Sequence, residues 1–255
     1  MSKLEQIIAI RDKIAGGKPS VGTWMQLPNG SVAEILGAAG YDWVCVDLEH
    51  GSISAVDLPD LFRAIELGGA VPMARMIRMD EAHCKQALDA GALGLIAPKI
   101  ETRDQILDFV RFSKWPPAGE RGVAFSRANL FGKNFQSYRE ISQQPFLAAM
   151  IETYAGVQEI QGILDGGLLD AIFIGPYDLS ASLGITAEFE HPLFLEALEH
   201  VRQASLTYNV PLGIHVVEPE LEALENRIRE GYTFIARSID AVFLQQAAIY
   251  ENPDL

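Results

Sequence analysis

A short unit recurs along this chain: a helical stretch, then one or more glycines, then a brief run of Val, Ile, Ala and Phe. The clearest copies are ILGAAGYDWVCVDLE at 35–49, IELGGAVPMARM at 65–76, LDAGALGLIAPKI at 88–100, ILDGGLLDAIFIGP at 163–176 and IREGYTFIARSID at 228–240. Glycine just after a helix supplies a left-handed C-cap. An apolar run without alternation is typical of a strand buried on both faces. The unit therefore indicates a helix that leads into a buried strand.

Three further runs, VGTWMQ (21–26), FLAAMIET (146–153) and PLGIHVV (211–217), raise the number of candidate strands to eight. They begin near positions 21, 43, 71, 94, 146, 171, 211 and 234. Eight parallel strands alternating with helices in about 250 residues are typical of a (β/α)8 TIM barrel. The sequence predicts one such domain over 1–255, preceded by an N-terminal amphipathic helix within 1–18. A doubly wound sheet is the alternative, but neither its G-x-G-x-x-G turn nor a G-x-x-x-x-G-K-[ST] loop is present.

One long interruption, residues 115–135, lies between predicted strands 4 and 5. Loops of this length are often functional or form interfaces. The segment carries Arg121, Arg127 and Lys133 among aromatic residues, so it is interpreted as a lid or a subunit contact, with a solvated excursion as the alternative. These cations are also the candidates for binding an acidic aldehyde at the barrel mouth.

Charge limits the partners of the chain. Asp and Glu number 34 against 20 Lys and Arg, a formal net charge of −14, and no basic stretch interrupts this excess. Such a surface repels nucleic acid and anionic membranes. Residues 1–18 lack the apolar core of a signal peptide, and Cys45 and Cys84 lack metal-finger spacing, so a cytoplasmic location is expected. An anionic ligand would need a few buried cations.

Polar residues fall at the ends of most predicted strands. Strand 2 runs into Asp47, Glu49 and His50, and the other strand-end residues are Arg75, Lys99, Glu152, Asp178 and His215. In a (β/α)8 barrel the C-terminal strand ends form the catalytic face. Charged residues within apolar strands are costly to bury unless they are paired or bind a metal. The pattern therefore predicts an active site at this end.

The residue types suggest metal-assisted chemistry. Glu152 and Asp178 end adjacent strands and can converge on Mg²⁺ or Mn²⁺, although each acid is equally explained as a helix cap. Arg75 is placed to stabilise an oxyanion or, alternatively, only to pair with Asp47 or Glu49. His50 is a candidate general base.

A turn after strand 6 completes this set. Gly175-Pro176-Tyr177-Asp178 opens a helix whose N-terminal N–H groups can hold a carboxylate. A cation, an Arg, a base and this anion-binding turn together predict enolate chemistry on a 2-oxo acid.

Seven segments carry a family resemblance. They are VDLEHG (46–51), VPMAR (71–75), KQALDAGA (85–92), GERG (119–122), MIET (150–153), IFIGPYDLSASLG (172–184) and ARSIDAVFL (236–244). Through them the chain, from about residue 21 to 244, resembles the HpcH/HpaI family of class II, metal-dependent pyruvate aldolases. The resemblance implies a (β/α)8 barrel that assembles as dimers and hexamers (trimers of dimers). It also implies reversible cleavage of a 4-hydroxy-2-oxo acid to pyruvate, or a related 2-oxo acid, and an aldehyde through a metal-bound enolate.

Roles follow for individual residues. The resemblance makes Glu152 and Asp178 the ligands of a divalent metal, with Co²⁺ a further candidate besides Mg²⁺ and Mn²⁺. It makes His50 the base and Arg75 the group that stabilises the enolate. The amides around Tyr177 and Asp178 bind the substrate carboxylate, and Gly175 and Pro176 belong to the same substrate-binding turn. Trp24 lines the substrate pocket. Asp89 corresponds to the acid that raises the basicity of the histidine.

The position of Asp89 leaves one question of geometry open, and three other residues depart from the family pattern. Asp89 lies near the end of the helix after strand 3, where a single barrel places it opposite the active face; either that helix ends elsewhere, or Asp89 reaches His50 of a neighbouring subunit. Met150 stands where the family can have a glutamine. His215 and Tyr177 stand where smaller or apolar residues are common, so these two are candidate contacts for the aldehyde.

Two other functions are weighed against the metal-dependent aldolase. In the first, Lys99 forms a Schiff base with pyruvate. In the second, the barrel binds a 2-oxo acid or a partner without turnover.

Overall fold

The computed structural model, which describes residues 1–249, contains eight parallel strands closed into a barrel in chain order, with β8 paired to β1. The predicted TIM barrel is therefore confirmed, as is the position of each predicted strand. The strands are β1 Ser20–Met25, β2 Trp43–Asp47, β3 Val71–Arg75, β4 Gly94–Ala97, β5 Phe146–Ile151, β6 Ala171–Ile174, β7 Leu212–Val216 and β8 Phe234–Ile239.

Helices connect the strands and cover the barrel. They are α1 Lys3–Ala15, α2 Gly30–Ala38, α3 Leu58–Gly68, α4 Glu81–Ala90, α5 Arg103–Ser113, α6 Phe135–Ile141, α7 Tyr154–Gln158, α8 Ile160–Leu164, α9 Pro176–Ser182, α10 Pro192–Tyr208, α11 Leu221–Arg229 and α12 Asp240–Ala247, with a 3-10 turn η1 at Arg127–Asn129. Gly69 and Gly91 follow α3 and α4 with φ of 104° and 114°, the left-handed caps that the sequence predicts. Within residues 1–249 no helix is long and apolar enough to cross a bilayer.

The predicted N-terminal helix is present as α1. Ser2 caps it through a capping box with Glu5. Its buried residues Ile7, Ile10 and Ile14 join the cluster of side chains inside the barrel. Helix α1 therefore closes the N-terminal end of the barrel.

Alternation along the strands separates two cores. Side chains such as Trp43, Phe146, Phe173 and Phe234 fill the barrel, whereas their strand neighbours pack against the surrounding helices. On β2, Trp43 and Cys45 face inward, so the period of two brings Asp47 inward as well. This alternation directs the polar residues at the strand ends into the mouth of the barrel.

Residues 115–135 do not cover that mouth, so their interpretation as its lid is wrong. They follow the C-terminal end of α5 and lead towards β5, which places them at the N-terminal end of the barrel. Arg121 is buried and donates to the Ser113 carbonyl and the Tyr138 hydroxyl. Arg127 pairs with Glu66 at 2.6 Å and donates to the carbonyl of Ala90, the last residue of α4.

These partners also rule out the expected role of the segment's cations within one chain. Arg121 and Arg127 are structural, and Lys133 is exposed at the same far end. None of the three can receive an acidic aldehyde at the mouth of its own barrel. The subunit-contact interpretation remains a prediction.

Candidate active site

Arg75 and Asp47 form a bidentate ion pair inside the mouth. Arg75 Nε lies 2.8 Å from Asp47 Oδ1, and Nη2 lies 2.6 Å from Oδ2. Gln26 Nε2 donates to the same Oδ2 at 2.8 Å. Burial opposes ionisation of Asp47, but the hydrogen bonds and charge of Arg75 outweigh it and lower the pKa of Asp47. The guanidinium is therefore held charged in one orientation.

Glu49 and Trp24 complete the surroundings of Arg75. Nη1 lies 3.5 Å from Glu49 Oε2. The guanidinium carbon lies 4.5 Å from the centre of the Trp24 ring, a cation–π contact. Trp24 is only 1% exposed. It therefore forms a floor beneath Arg75, whereas the resemblance gives it a place in the pocket wall.

His50 lies at the rim of the same site. Asp47 Oδ1 accepts hydrogen bonds from the backbone N–H groups of Glu49 and His50, at 3.0 and 3.3 Å. The loop after β2 is thus tied to the ion pair. The His50 side chain is 55% exposed, and its Nε2 lies 3.9 Å from Glu49 Oε2. This position leaves the imidazole accessible to a molecule in the mouth.

Glu152 is the most deeply buried carboxylate of the predicted metal pair, with 1% exposure. Its Oε1 accepts a hydrogen bond of 2.7 Å from the backbone N–H of Lys99, whose φ is 50°. Burial raises the pKa of Glu152 to about 7; the Lys99 N–H opposes the rise, and the charges of Glu49 and Asp178 add to it. The charge of Arg75 also opposes the rise but does not offset the burial.

The turn after β6 packs directly on Glu152. Gly175 caps α9, Pro176 is the first helical residue and Asp178 lies in the first turn, exposed. A Cβ atom added to Gly175 would lie 2.7 Å from Glu152 Oε2. Glycine is therefore required for the turn to approach the carboxylate this closely.

Only part of this turn can offer donors to an anion. The Gly175 N–H points to the Ile151 carbonyl at 3.5 Å, and proline has no N–H. The first-turn amides of Tyr177 and Asp178 have no intrahelical acceptor. The Tyr177 ring packs edge-on against Phe189 at 5.1 Å, so its backbone, and not its phenol, is the candidate contact.

The donor set fits a hard divalent cation. Once Asp47 is paired with Arg75, three carboxylates remain: Glu49, Glu152 and Asp178. Glu49 Oε2 is buried without a hydrogen-bond partner among residues 1–249, and burial raises the pKa of Glu49. In the same part of the chain no three His, Cys, Asp or Glu side chains are arranged as a complete metal cage. Two carboxylates with the other positions open to water and substrate are typical of Mg²⁺ or Mn²⁺ sites.

Asp89 lies apart from this cluster. It is the last residue but one of α4, which runs from the mouth to the opposite end of the barrel. Burial raises the pKa of Asp89, and its Oδ1 has no hydrogen-bond partner within the described residues. Asp89 therefore does not reach His50 of the same chain, and a contact with His50 of a neighbouring subunit stays a prediction.

Two participants in the site were missed by the sequence reasoning. Gln26 directly follows β1 and lies two residues after Trp24, so continued alternation could have revealed it. The backbone amide of Lys99 had no signal, because its orientation depends on a left-handed backbone at a non-glycine residue.

The chain is similar in sequence and fold to known proteins. The model of the HpcH/HpaI aldolase/citrate lyase family matches residues 20–247. A 4-hydroxy-2-oxo-heptane-1,7-dioate aldolase of Salmonella arizonae is 32% identical over 244 residues, 94% of this chain and 91% of the relative. Two solved structures are also similar. An HpcH/HpaI aldolase/citrate lyase family protein of Burkholderia cenocepacia J2315 has 33% sequence identity and a TM-score of 0.87, with 94% of this chain and 95% of that chain covered. An HpcH/HpaI aldolase of Desulfitobacterium hafniense DCB-2 has 30% sequence identity and a TM-score of 0.83, with 93% of this chain and 92% of that chain covered.

Proposed function

The chain belongs to the HpcH/HpaI aldolase/citrate lyase family, and from that premise we propose that it is a divalent-metal-dependent, class II aldolase. The reaction is the reversible cleavage of a 4-hydroxy-2-oxo acid to pyruvate, or a related 2-oxo acid, and an aldehyde. One observation carries the proposal: the buried carboxylate of Glu152 packs against the turn that carries Asp178, and a fixed arginine lies at the same barrel mouth. This arrangement needs a cation and suits an anionic substrate.

Glu152 and Asp178 would hold the metal, with Mg²⁺ or Mn²⁺ as the expected ion. When bound, a divalent cation polarises the C2 carbonyl of a 2-oxo acid and so favours the enolate. Gly175 keeps the turn close enough to Glu152 for the two carboxylates to share one ion. The amides of Tyr177 and Asp178 would receive the substrate carboxylate.

His50 transfers the proton in this reaction, and Arg75 stabilises the negative charge. In cleavage, His50 takes the proton from the 4-hydroxyl group as C4 becomes an aldehyde carbon. The C3–C4 bond breaks, and its electron pair forms the C2–C3 double bond of the enolate. Arg75, fixed by Asp47 and Trp24, stabilises the negative oxygen. Protonation at C3 then yields pyruvate, and aldol addition is the reverse.

A homo-oligomer, a hexamer built as a trimer of dimers, is part of the proposal. Phe125 and Phe131 in the 115–135 segment are 71% and 68% exposed. They lie at the end of the barrel where Asp89 is half-buried and its Oδ1 lacks a hydrogen-bond partner among residues 1–249. A second copy covering this surface would bury the aromatic rings and could bring Asp89 to His50 of its neighbour, where a carboxylate raises the basicity of an imidazole.

The Lys99 side chain does not favour the Schiff-base alternative. A lysine that forms an imine is usually desolvated, whereas Lys99 is exposed and contributes to the site through its backbone. Borohydride trapping with pyruvate should therefore leave Lys99 unmodified. A covalent adduct there would replace the metal mechanism.

Removal of the metal and of its ligand tests the proposed function. Cleavage of 4-hydroxy-2-oxopentanoate, followed by pyruvate release, should cease on full chelation and in Glu152→Ala. Glu159→Ala, which removes an exposed acid outside the site, is the matched control and should remain active. Cleavage that survives both chelation and Glu152→Ala contradicts the proposal, and binding of pyruvate without turnover would favour a non-catalytic barrel.

A further inference from the structure

His215 lies in the same mouth but takes no part in the chemistry proposed above. It is on β7, next to the strand that leads into the Gly175–Asp178 turn. Its imidazole packs edge-on against Trp24, with ring centres 5.7 Å apart. The guanidinium of Arg75 in turn lies over the Trp24 ring. A substrate held between the turn and Arg75 therefore has His215 beside it.

A β-bulge in β8 orients the imidazole. Gly22 pairs with Ala236 but Trp24 pairs with Ile239, so β8 has one residue more than β1 at this point. Ser238, in the bulge, is fully buried with φ of 53°. Its hydroxyl donates to the Val217 carbonyl at 2.8 Å. The strained bulge is thus held in place.

The bulge also decides which ring nitrogen is free. His215 Nε2 lies 3.3 Å from the Ser238 carbonyl oxygen, which can only accept a hydrogen bond. Nε2 must therefore carry the hydrogen. Nδ1 has no hydrogen-bond partner in the part of the chain that the structure describes. In a neutral imidazole this atom is an acceptor.

Two observations support a neutral imidazole. Burial lowers the pKa of His215 to about 4, the Ser238 carbonyl opposes the change, and the charge of Arg75 adds to it. Trp24 and the Ser238 carbonyl contact the ring without supplying a negative charge. At neutral pH, His215 is therefore a polar contact and does not attract a carboxylate as a cation would.

We propose that His215 Nδ1 accepts a hydrogen bond from a hydroxyl group on the aldehyde half of the substrate, so that this chain prefers hydroxyaldehydes to aldehydes bearing a carboxylate. The inference rests on the proposed function. The pyruvate half occupies Arg75 and the turn amides, and Arg75 is already shared with Asp47 and Glu49. Arg121 and Arg127 are bound at the opposite end of the barrel. A second carboxylate would find Glu49 nearby. Within residues 1–249 the exposed ammonium of Lys99 also lies at the mouth, but its charge already acts on Glu49.

Paired aldehydes test this assignment directly. Hydroxyacetaldehyde and propanal have the same number of non-hydrogen atoms and differ by a hydroxyl in place of a methyl group. We compare kcat/KM for aldol addition of pyruvate, with Mg²⁺, to these two aldehydes and to 4-oxobutanoate. Wild-type protein should favour hydroxyacetaldehyde over both. His215→Leu should lower the hydroxyacetaldehyde-to-propanal ratio about fivefold, the equivalent of one neutral hydrogen bond.

Two variants separate this role from a structural one. His215→Asn keeps an acceptor near the position of Nδ1 and should retain most of the preference. Val216→Ala alters the next residue on β7, whose side chain packs in the outer core, and should leave the ratio unchanged. If His215→Leu fails to fold, the assignment is tested by the hydroxyacetaldehyde-to-propanal ratio in His215→Asn and by the order of kcat/KM for the three aldehydes in the wild type.

The outcomes distinguish this inference from the proposed function. An unchanged ratio in His215→Leu, or a wild-type preference for 4-oxobutanoate, overturns the assignment of His215 and leaves the aldolase intact. Wild-type protein that adds pyruvate to none of the three aldehydes overturns both.

Discussion

Replacement of Glu152 by glutamine should stabilise the metal-free protein at alkaline pH. Because the folded-state pKa of this carboxyl is about 7 against an ordinary value of 4.5, its neutral form is favoured by folding. Stability is therefore lost as pH rises from 4.5 through 7. The raised pKa of Glu152 lowers the unfolding free energy by about 3 kcal/mol at pH 8 and by about 1 kcal/mol or less at pH 5. Glutamine has no charge to desolvate, and its oxygen can still accept the Lys99 N–H.

Thermal unfolding of chelated protein at several pH values measures the effect. For a chain of this size about 1 kcal/mol shifts Tm by ~2–4 °C. Glu152→Gln should therefore melt about 6–12 °C above the wild type at pH 8, and the gap should narrow to about 2–4 °C or less at pH 5. Added Mg²⁺ at 100 times its Kd should raise the unfolding free energy of the wild type alone, by about 3 kcal/mol.

The control is Glu159→Gln, in which an exposed carboxyl is removed without any expected pH-dependent gain. Two results would refute the reasoning. One is a Glu152→Gln protein no more stable than the wild type at pH 8 without metal. The other is a gap of equal size at pH 5 and pH 8.

Three further experiments test the neighbouring features. Gly175→Ala should weaken divalent-metal binding at least tenfold in calorimetry, because its Cβ would displace Glu152; normal affinity would show that the close approach is not needed. Mixed oligomers of inactive Asp89→Asn and His50→Ala chains should regain up to about a quarter of wild-type activity if the site is shared across an interface, and no recovery would place Asp89 outside it. Arg127→Ala should lose about 2 kcal/mol of stability in denaturant unfolding, because Glu66 is left with Lys3 as its ion-pair partner and the Ala90 carbonyl at the end of α4 loses a donor. KM for dicarboxylate and for neutral products should stay alike, and a selective rise in KM for dicarboxylates would return Arg127 to the active site.

The barrel could be predicted from sequence because its signals are local and repeated. Gly69 and Gly91 mark helix ends by their left-handed backbone, and each is followed by a strand buried on both faces. The period of two along β2 then directs Asp47 inward. The convergence of Asp47, Arg75 and Glu152 follows from topology, since all parallel strands end at the same side.

The position of one segment and the orientation of two groups were not predicted from these patterns. Residues 115–135 were interpreted as a lid from their length and charge, although a segment that follows a helix and precedes a strand lies at the N-terminal end of a barrel. The contribution of Lys99 through its amide, and the free nitrogen of His215, depend on positive φ at Lys99 and Ser238. Neither residue type favours that conformation, so the sequence carries no sign of it.

The central claim is that Glu152 and Asp178 hold a cation beside Arg75 and thereby allow a pyruvate enolate to form. Exchange of the pyruvate methyl protons in deuterated water, followed by proton NMR, tests it without any aldehyde. We predict that wild-type protein with Mg²⁺ or Mn²⁺ removes the methyl signal, and that chelated protein and Glu152→Ala do not. Exchange that continues unchanged after chelation, or pyruvate that binds in the presence of metal without exchange, would contradict the account.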